Sequence, residues 1–232
     1  MAYYDIAGLK VRMDTFGRTL RQAAAYEGVA GEPDITVCID PHTLSERLAQ
    51  YTDADVAEYM ATGSEFARQL LFHGGLQLHA SAVMLDGKAW LFSAPSGTGK
   101  STHTEKWCRL FGATVINDDK PVLRKLDGVW IAFGTPWSGK YDLSTPTQAP
   151  VGGIAFLKRG EENRICPFKP AESVPYFLSQ CLHHLSVAQM DAQLECLDQL
   201  LQEVPVWELT ARNEDEAAYL AREVMGGALW KP

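Results

Sequence analysis

One junction constrains the fold of this chain more than any other feature. Two apolar runs, Leu76–Leu85 (LQLHASAVML) and Lys88–Ser93 (KAWLFS), are separated only by Asp86 and Gly87. Asp-Gly between apolar runs is a strong hairpin signal, so we expect the two strands to pair antiparallel. The second run continues directly into a glycine-rich segment, and a helix is expected to follow to about Leu110.

The glycine-rich segment, APSGTGKS from Ala94 to Ser101, matches the phosphate-binding P-loop pattern except that alanine replaces the first glycine. Glycines let the backbone turn so that several N–H groups face one point, and the helix N-terminus adds positive potential. In this pattern the lysine contacts the β- and γ-phosphates and the serine hydroxyl holds Mg²⁺. The alternative is an ordinary turn that binds no ligand. The succession of a strand, the GTGKST sequence and a helix is, however, specific for a phosphate-binding loop. The predicted nucleotide-binding residues are Ala94, Pro95, Ser96, Gly97, Thr98, Gly99, Lys100, Ser101 and Thr102.

An acidic pair follows the next apolar strand. Ala113–Ile116 runs into Asn117, Asp118 and Asp119, and Asp118 lies 18 residues after Lys100. In nucleotide-binding sheets a carboxylate at this strand end lies beside the P-loop. One such acid can hold Mg²⁺, directly or through water, while the other accepts a proton from an attacking hydroxyl. The alternative is a pair of turn or cap acids with no chemical role.

Three further side chains are candidates. His79 lies on the strand before the P-loop strand and is expected near the point where that second strand leads into the P-loop. There it hydrogen-bonds an aspartate, contacts phosphate or has only a structural role. A second hairpin, Val122–Leu126 with Val129–Phe133, leads into the loop GTPWSGK, which ends in Lys140. Lys140 and Arg159 are candidate contacts for phosphate or substrate, the alternative for each being a solvated loop charge.

Composition narrows the class of protein. Lys plus Arg is 21 and Asp plus Glu is 29, giving a net charge of −8, so a nucleic-acid partner is disfavoured. The five cysteines include no CxxC motif, which favours a reduced, cytoplasmic setting. No uncharged apolar run approaches the roughly 20 residues of a membrane span, so we expect no membrane association.

The pattern along the chain predicts a mixed α/β fold with antiparallel hairpins rather than a regular βαβ alternation. The first fifty residues look like strands and turns, and Ser64 is expected to cap a helix over Glu65–Phe72. Helices are also predicted over Ser173–Leu185 and Val187–Leu201. We expect an N-terminal β/α portion, residues 1–75, packed on a nucleotide-binding core, residues 76–232, that ends in helices.

The order LHASAVMLDGKAWLFSAPSGTGKST…VINDD resembles the HPr kinase/phosphorylase family, over about residues 76–126. That family shares its nucleotide core with the phosphoenolpyruvate carboxykinases, so the resemblance implies a P-loop core of this type. It places His79 near the phosphates, makes Asp118 the group that takes part in proton transfer with a serine hydroxyl, and puts Asp119 beside the metal. The family's E-I-R-G-x-G segment has no match here, so the chain looks closer to the shorter HPr-kinase-like proteins, some of which phosphorylate a peptide serine.

These observations predict a phosphotransferase that uses ATP, or another NTP, with Mg²⁺. The predicted catalytic residues are Asp118, Lys100 and His79, and the predicted metal ligands are Ser101 and Asp119. The expected acceptor is a serine of a small protein or peptide, and a homo-oligomer is compatible with the resemblance. The alternative is a nucleotide-binding regulatory or assembly module that hydrolyses slowly and transfers nothing. A transport ATPase subunit is disfavoured because no LSGGQ-type signature occurs.

Overall fold

The computed structural model describes residues 2–51, 53–139 and 141–227, which form a mixed α/β fold. The strands are β1 (Ala2–Ile6), β2 (Leu9–Met13), β3 (Ile35–Val37), β4 (Gly75–Gln77), β5 (Ala80–Leu85), β6 (Lys88–Ser93), β7 (Thr114–Asn117), β8 (Val122–Leu126), β9 (Val129–Phe133), β10 (Gln148–Arg159), β11 (Arg164–Pro167) and β12 (Val206–Ala211). The α-helices are α1 (Gly17–Ala23), α2 (Pro41–Gln50), α3 (Ala54–Leu70), α4 (Lys100–Phe111), α5 (Pro170–Gln180), α6 (Val187–Glu203) and α7 (Asp215–Gly227).

A long strand, β10, joins the two halves of the main sheet. Its first three residues pair antiparallel with β9, and after a register shift between Val151 and Gly153 it runs parallel to β6 on one side and β12 on the other. The path through the sheet is β4-β8-β9-β10-β6-β5-β7, with β11 pairing antiparallel to β12. An irregularity of this kind bends a strand and raises its local twist, and here it lies where the antiparallel half of the sheet meets the parallel half.

The two predicted hairpins are confirmed. β5 pairs antiparallel with β6 across Asp86 and Gly87, whose φ values are 52° and 73°. β8 pairs with β9 across Asp127 and Gly128, whose φ values are 49° and 80°. Two positive φ values in a two-residue loop match the right-handed twist of the flanking strands, which explains why Asp-Gly occurs at both turns.

The run predicted as one strand over Leu76–Leu85 is instead two strands with different neighbours. β4 pairs with β8, whereas β5 pairs with β6 and β7. The apolar alternation continues through the break because Leu78 and Ala80 are both fully buried, so periodicity carries no sign of the change of partner. The break leaves His79 between the two strands, with its backbone N–H bonded to the Gln180 carbonyl.

The N-terminal part departs most from the sequence expectation. β1, β2 and β3 form a small separate sheet, but α1 and α2 occupy stretches expected as strands and turns, and α3 is longer than the helix expected there. Ser64 is not a helix cap: α3 begins at Ala54 with Asp53 as its cap, and the Ser64 hydroxyl donates to the Met60 carbonyl inside the helix. Buried polar residues of α3, among them Glu58 and Thr62, interrupt the apolar stripe that marks a helix in a sequence.

The helix predicted over Ser173–Leu185 is shorter than expected, since α5 ends at Gln180. His79 donates its backbone N–H to the carbonyl of that last residue, and His184 has a left-handed φ of 60°. The stretch from 181 to 186 is therefore irregular. The predicted helix over Val187–Leu201 is confirmed as α6, which a capping box at Ser186 opens.

Three apolar clusters hold these layers together. One lies between the main sheet and α5 and α6, a second between the other face and α4 and α7, and a third beneath the small sheet. The third cluster joins Phe66 of α3 to Phe133 of β9 and to Trp137, so α3 lies between the two sheets. None of the described helices combines the length and apolar character that crossing a bilayer requires.

Candidate functional site

The glycine-rich loop connects β6 to α4 as the sequence predicts. Gly97 and Gly99 have φ values of 78° and 123°, which side-chain-bearing residues rarely adopt. Gly99 also starts the helix, because its carbonyl accepts the backbone N–H of His103 at 2.9 Å. Arg159 of β10 donates to the carbonyls of Gly97 and Thr98, which ties the loop to the sheet. The N–H of Thr98 donates to the Pro95 carbonyl at 3.2 Å, so the middle of the loop is held both by its own backbone and by Arg159.

Most of the predicted loop residues line one cleft of about 530 Å³. They are Ser96, Gly97, Gly99, Lys100, Ser101 and Thr102. Thr98 instead faces a neighbouring cavity of about 510 Å³, which Gly99 and Thr102 also line. Ala94 and Pro95 do not line the cleft: Ala94 is 1% exposed in the apolar cluster under α4, and Pro95 is exposed beyond the cleft.

Lys100 is folded back onto its own loop. Its Nζ donates to the carbonyl of Ala94 at 2.8 Å, so the backbone of Ala94, rather than its side chain, takes part in the site. Burial lowers the pKa of Lys100 to about 8, and the carboxylate of Asp119 opposes that shift. The ammonium group remains mostly charged at neutral pH and lies beside the cleft.

The acidic pair lies at the end of β7 and lines the same cleft. Asp118 is 7% exposed, and its Oδ1 accepts the backbone N–H of Gly139 at 2.5 Å. Burial raises the pKa of Asp118, and the negative charge of Asp119 adds to the rise. A carboxylate with a raised pKa is a stronger proton acceptor, which is the property that a general base needs.

Asp119 has a different environment. Its Oδ1 lies 3.2 Å from Nε2 of His79, and its Oδ2 lies 3.4 Å from the hydroxyl of Tyr59. Burial acts to raise the pKa of Asp119, but the hydrogen bond from His79 and the positive charge of Lys120 outweigh it and leave the pKa lowered. Adjacent in sequence, the two carboxylates are thus shifted in opposite directions.

Asn117, a residue the sequence analysis did not single out as functional, positions the pair. It is fully buried, and its Oδ1 accepts the backbone N–H groups of Asp119 and Lys120 at 2.9 and 2.7 Å. Its Nδ2 donates to the carbonyls of Thr135 and Trp137 at 3.0 and 3.2 Å. One amide therefore ties the acidic turn to the loop that follows β9. An asparagine directly before two aspartates at a strand end is the sequence signal that could have identified it.

The wall opposite the P-loop comes from segments far away in the chain. It consists of Arg18, Tyr59, Ser138, Gly139 and Tyr141. The Arg18 guanidinium donates to the carbonyls of Ser138 and Gly139 at 3.1 and 2.5 Å and lies 4.6 Å from the centroid of the Tyr59 ring. The Tyr59 hydroxyl donates to the Ser138 carbonyl at 2.7 Å. The loop GTPWSGK was a candidate in the sequence, whereas nothing there marked Arg18 or Tyr59.

Two of the three remaining candidate residues lie at the cleft. His79 and Arg159 both line the cleft, His79 beside Asp119 and Arg159 at the P-loop. Nδ1 of His79 lies 2.9 Å from Oε1 of Gln180, so both ring nitrogens have partners. Lys140 lies outside the described residues.

The oxygens that face the cleft fit a magnesium ion carried by a nucleotide. The Ser101 hydroxyl and the Asp119 carboxylate both line it, and Mg²⁺ bound with phosphates takes one or two protein carboxylates and retains water. Within residues 2–51, 53–139 and 141–227, no group of three or more His, Cys, Asp or Glu side chains forms a metal site. The donor set therefore suits a metal shared with phosphate better than one held by the protein alone.

Comparisons with known proteins add little beyond the fold. No protein-family model matches the sequence, and no curated protein matches it. Among solved structures, the HPr(Ser) kinase/phosphatase from Coxiella burnetii is similar at 12% sequence identity and a TM-score of 0.38, over 65% of this chain and 95% of that one.

Proposed function

We propose that this protein transfers the γ-phosphate of ATP to a hydroxyl group, with Mg²⁺, and that the acceptor is a serine of a small protein or peptide. The observation that carries the proposal is the single cleft lined by both the P-loop and the acidic pair. A phosphate cradle alone fits any nucleotide binder. A buried carboxylate with a raised pKa beside that cradle fits a reaction in which a hydroxyl loses its proton.

The two cavities beside the loop suggest which end of the nucleotide lies in each. The cleft with Asp118 and Asp119 suits the terminal phosphate and its metal, whereas the residues lining the second cavity include no carboxylate. Gly99 and Thr102 border both cavities, so a nucleotide laid along the loop passes between them. We assign the nucleoside to the second cavity, near Lys106 and Asn213.

The transfer then needs positioning and electrostatics. The acceptor oxygen forms a bond to the γ-phosphorus as the bond from that phosphorus to the β–γ bridging oxygen breaks, and the hydroxyl proton moves to the carboxylate of Asp118. Lys100 and Arg159 offset the charge that develops on the transferred group. His79 holds Asp119 in its ionised form and orients it. Lys140 stays a predicted contact for substrate.

Ser101 and Asp119 would hold Mg²⁺, which supplies charge neutralisation at the phosphate oxygens when bound. We also propose that residues 1–75 form a portion packed on the 76–232 core that supplies Arg18 and Tyr59 to the cleft. ATP as the donor implies a cytoplasmic location.

The test is a comparison of Asp118→Asn with Asp127→Asn, which changes an exposed turn aspartate at the tip of the β8–β9 hairpin in the same way. Transfer from γ-labelled ATP to small proteins and peptides is measured together with ATP-induced thermal stabilisation. We expect Asp118→Asn to lose about 100-fold or more in turnover, the usual scale for a general base, while retaining ATP stabilisation. Asp127→Asn should behave as the parent protein.

Two results would contradict the proposal. If the parent protein binds ATP but labels no acceptor and Asp118→Asn changes nothing, the chain is a nucleotide-binding module that transfers nothing. If ATP gives no stabilisation at all, the phosphate site itself is wrong.

A further inference from the structure

A second pocket lies behind the acidic pair, on the far side of Tyr59 and His79 from the P-loop. We call it the rear pocket; its polar lining includes Arg47, Arg68, Gln77, Lys120, His183 and His184. Tyr59 and His79 line both this pocket and the cleft, so these two side chains separate the two spaces. A group held in the rear pocket therefore lies next to the place where the transfer is proposed to occur.

The charge of the rear pocket is unusual for this chain. The protein carries a net charge of −8, yet the residues lining this pocket include two arginines and a lysine and no carboxylate. Arg68 lies 3.8 Å from Glu65, a weak pairing, and Arg47 donates to the amide oxygen of Gln50. The side chain of Lys120 makes no salt bridge or hydrogen bond to any described residue. Because the charge of Lys120 acts on the neighbouring Asp119, the positive charge left over in the pocket comes mainly from Arg47 and Arg68.

An unsatisfied donor points to the same conclusion. The side-chain amide nitrogen of Gln77 is buried and has no hydrogen-bond partner among the described residues, although Gln77 lines the rear pocket. Leaving a buried donor unpaired is energetically costly, so such groups are usually completed by a ligand or water. Guanidinium, ammonium and amide N–H groups are all donors, and the ligand that satisfies them together is an acceptor-only anion, a carboxylate or a phosphate.

We infer that the rear pocket binds an anionic group of the phosphoryl acceptor and thereby makes the enzyme select hydroxyl acceptors that carry a carboxylate or phosphate nearby. The inference rests on the proposed function, because it concerns the acceptor of that reaction. The pocket volume of about 220 Å³ is below the range of roughly 300–1,000 Å³ typical for drug-sized ligands. It suits one small anionic group or side chain rather than a large molecule.

The kinetic test uses acceptors matched in shape but not in charge. One pair is a serine peptide with aspartate beside the serine and the same peptide with asparagine; the other is free L-serine and its amide. In whichever pair is phosphorylated, we expect the KM of the charged acceptor to be at least about 10-fold lower than that of its neutral partner. That difference is the scale of one charge-assisted hydrogen bond. Which pair is phosphorylated tells whether the anion comes from a peptide or from a small molecule.

Two variants remove positive charge from different elements of the pocket, Arg68→Gln on α3 and Arg47→Gln on α2. Lys88→Gln, at an exposed hairpin position, is the matched control. We expect both pocket variants to raise KM for the charged acceptor toward that of the neutral one, while kcat and KM for ATP change by less than about 3-fold. A parent protein that does not discriminate, or pocket variants that discriminate as well as the parent, would overturn the inference.

Calorimetric titration with inorganic phosphate separates this inference from the proposed function. The binding event of the rear pocket should persist in Lys100→Ala, which disables the P-loop, and weaken at least 10-fold in Arg68→Gln and Arg47→Gln. If phosphate binds in this way but no acceptor is labelled, the pocket is an anion site and the proposed transfer is wrong. If transfer occurs and the pocket variants bind phosphate as the parent does, the inference alone is wrong.

Discussion

The two walls of the cleft have different origins. The P-loop wall comes from one short segment, Ser96–Thr102 apart from Thr98, where β6 leads into α4. The opposite wall joins Arg18, Tyr59 and Gly139, whose positions in the chain are more than a hundred residues apart at the extremes. Local backbone geometry creates the first wall, whereas only long-range packing creates the second. A sequence pattern therefore reports the phosphate side of the cleft and is nearly silent on the side that would face the acceptor.

Glycines on the two walls illustrate the same difference. At Gly97 and Gly99 an added Cβ would meet no atom within 4 Å, so only their positive φ values require glycine. At Gly139 an added Cβ would lie 2.8 Å from Oδ2 of Asp118. The requirement there is space beside the carboxylate. The loop wall depends on dihedral angles and the opposite wall on close approach, so they should respond differently to substitution.

The largest effect is expected at the P-loop. Lys100→Ala should abolish the stabilisation that ATP gives, which is about 2.7 kcal/mol at a concentration of about 100 Kd, because the buried cation beside the cleft is lost. Thermal unfolding with and without ATP and Mg²⁺ measures this, with Lys88→Ala as the exposed control. An unchanged ATP shift in Lys100→Ala would remove the loop wall from the nucleotide site.

The next effect concerns the support of the opposite wall. Burial raises the pKa of Glu58 on α3 to about 6 from 4.5, and the charge of Asp55 adds to it. Because the folded-state pKa is raised, the stability contributed by Glu58 is complete below about pH 4.5 and is lost as the pH rises through 6. A shift of this size corresponds to about 2 kcal/mol of unfolding free energy.

Glu58→Gln should therefore flatten the fall in stability over that pH window and make the variant the more stable protein at pH 7. Urea unfolding at a series of pH values measures it, and Glu223→Gln, at an exposed position of α7, serves as the control. Parallel pH profiles for Glu58→Gln and the parent would show that this carboxyl does not couple to folding.

A smaller effect is expected at the close approach itself. Gly139→Ala should displace the carboxylate of Asp118 and weaken the bond from the Gly139 N–H, so we expect about a 10-fold loss of kcat, equivalent to about 1.4 kcal/mol. ATP stabilisation should remain. Gly226→Ala, where an added Cβ would meet nothing within 4 Å, is the control. If Gly139→Ala lost ATP binding and turnover to the same extent, the two walls of the cleft would not have separate roles in nucleotide binding and in transfer.

The smallest effect is expected from Arg18→Gln. The guanidinium donates to the Ser138 and Gly139 carbonyls and to Asp142, so its loss should loosen the loop that carries Gly139. Because Arg18 supports the loop without being assigned a part in the transfer, we expect a loss of only about 1 kcal/mol or less, so kcat should fall about 3-fold. Arg21→Gln, at a more exposed position of the same helix, should leave kcat unchanged. A full loss of activity in Arg18→Gln would give the arginine a direct part in transfer.

Elements formed by interactions between near neighbours in the sequence could be predicted, whereas those that depend on contacts distant in the sequence could not. The hairpins at Asp86 and Asp127 were predictable because two-residue turns are determined by their own residues. The strand break at His79 was not, since it depends on which strand lies alongside, β8 or β6. The start of α3 was missed because its buried polar residues, such as Glu58, find partners only in the folded chain.

By itself, the sequence determined the strand, loop and helix from Lys88 to Phe111, since these rest on glycine dihedral freedom and hydrogen bonds between near neighbours. It also determined that an acidic pair ends the next strand. The sequence also led us to expect that pair beside the loop. Tertiary structure alone decided that the pKa values of Asp118 and Asp119 shift in opposite directions and that Tyr59 and Arg18 complete the cleft. The physical reason is that burial and charge act through space, and the distances through which they act exist only after the chain has folded.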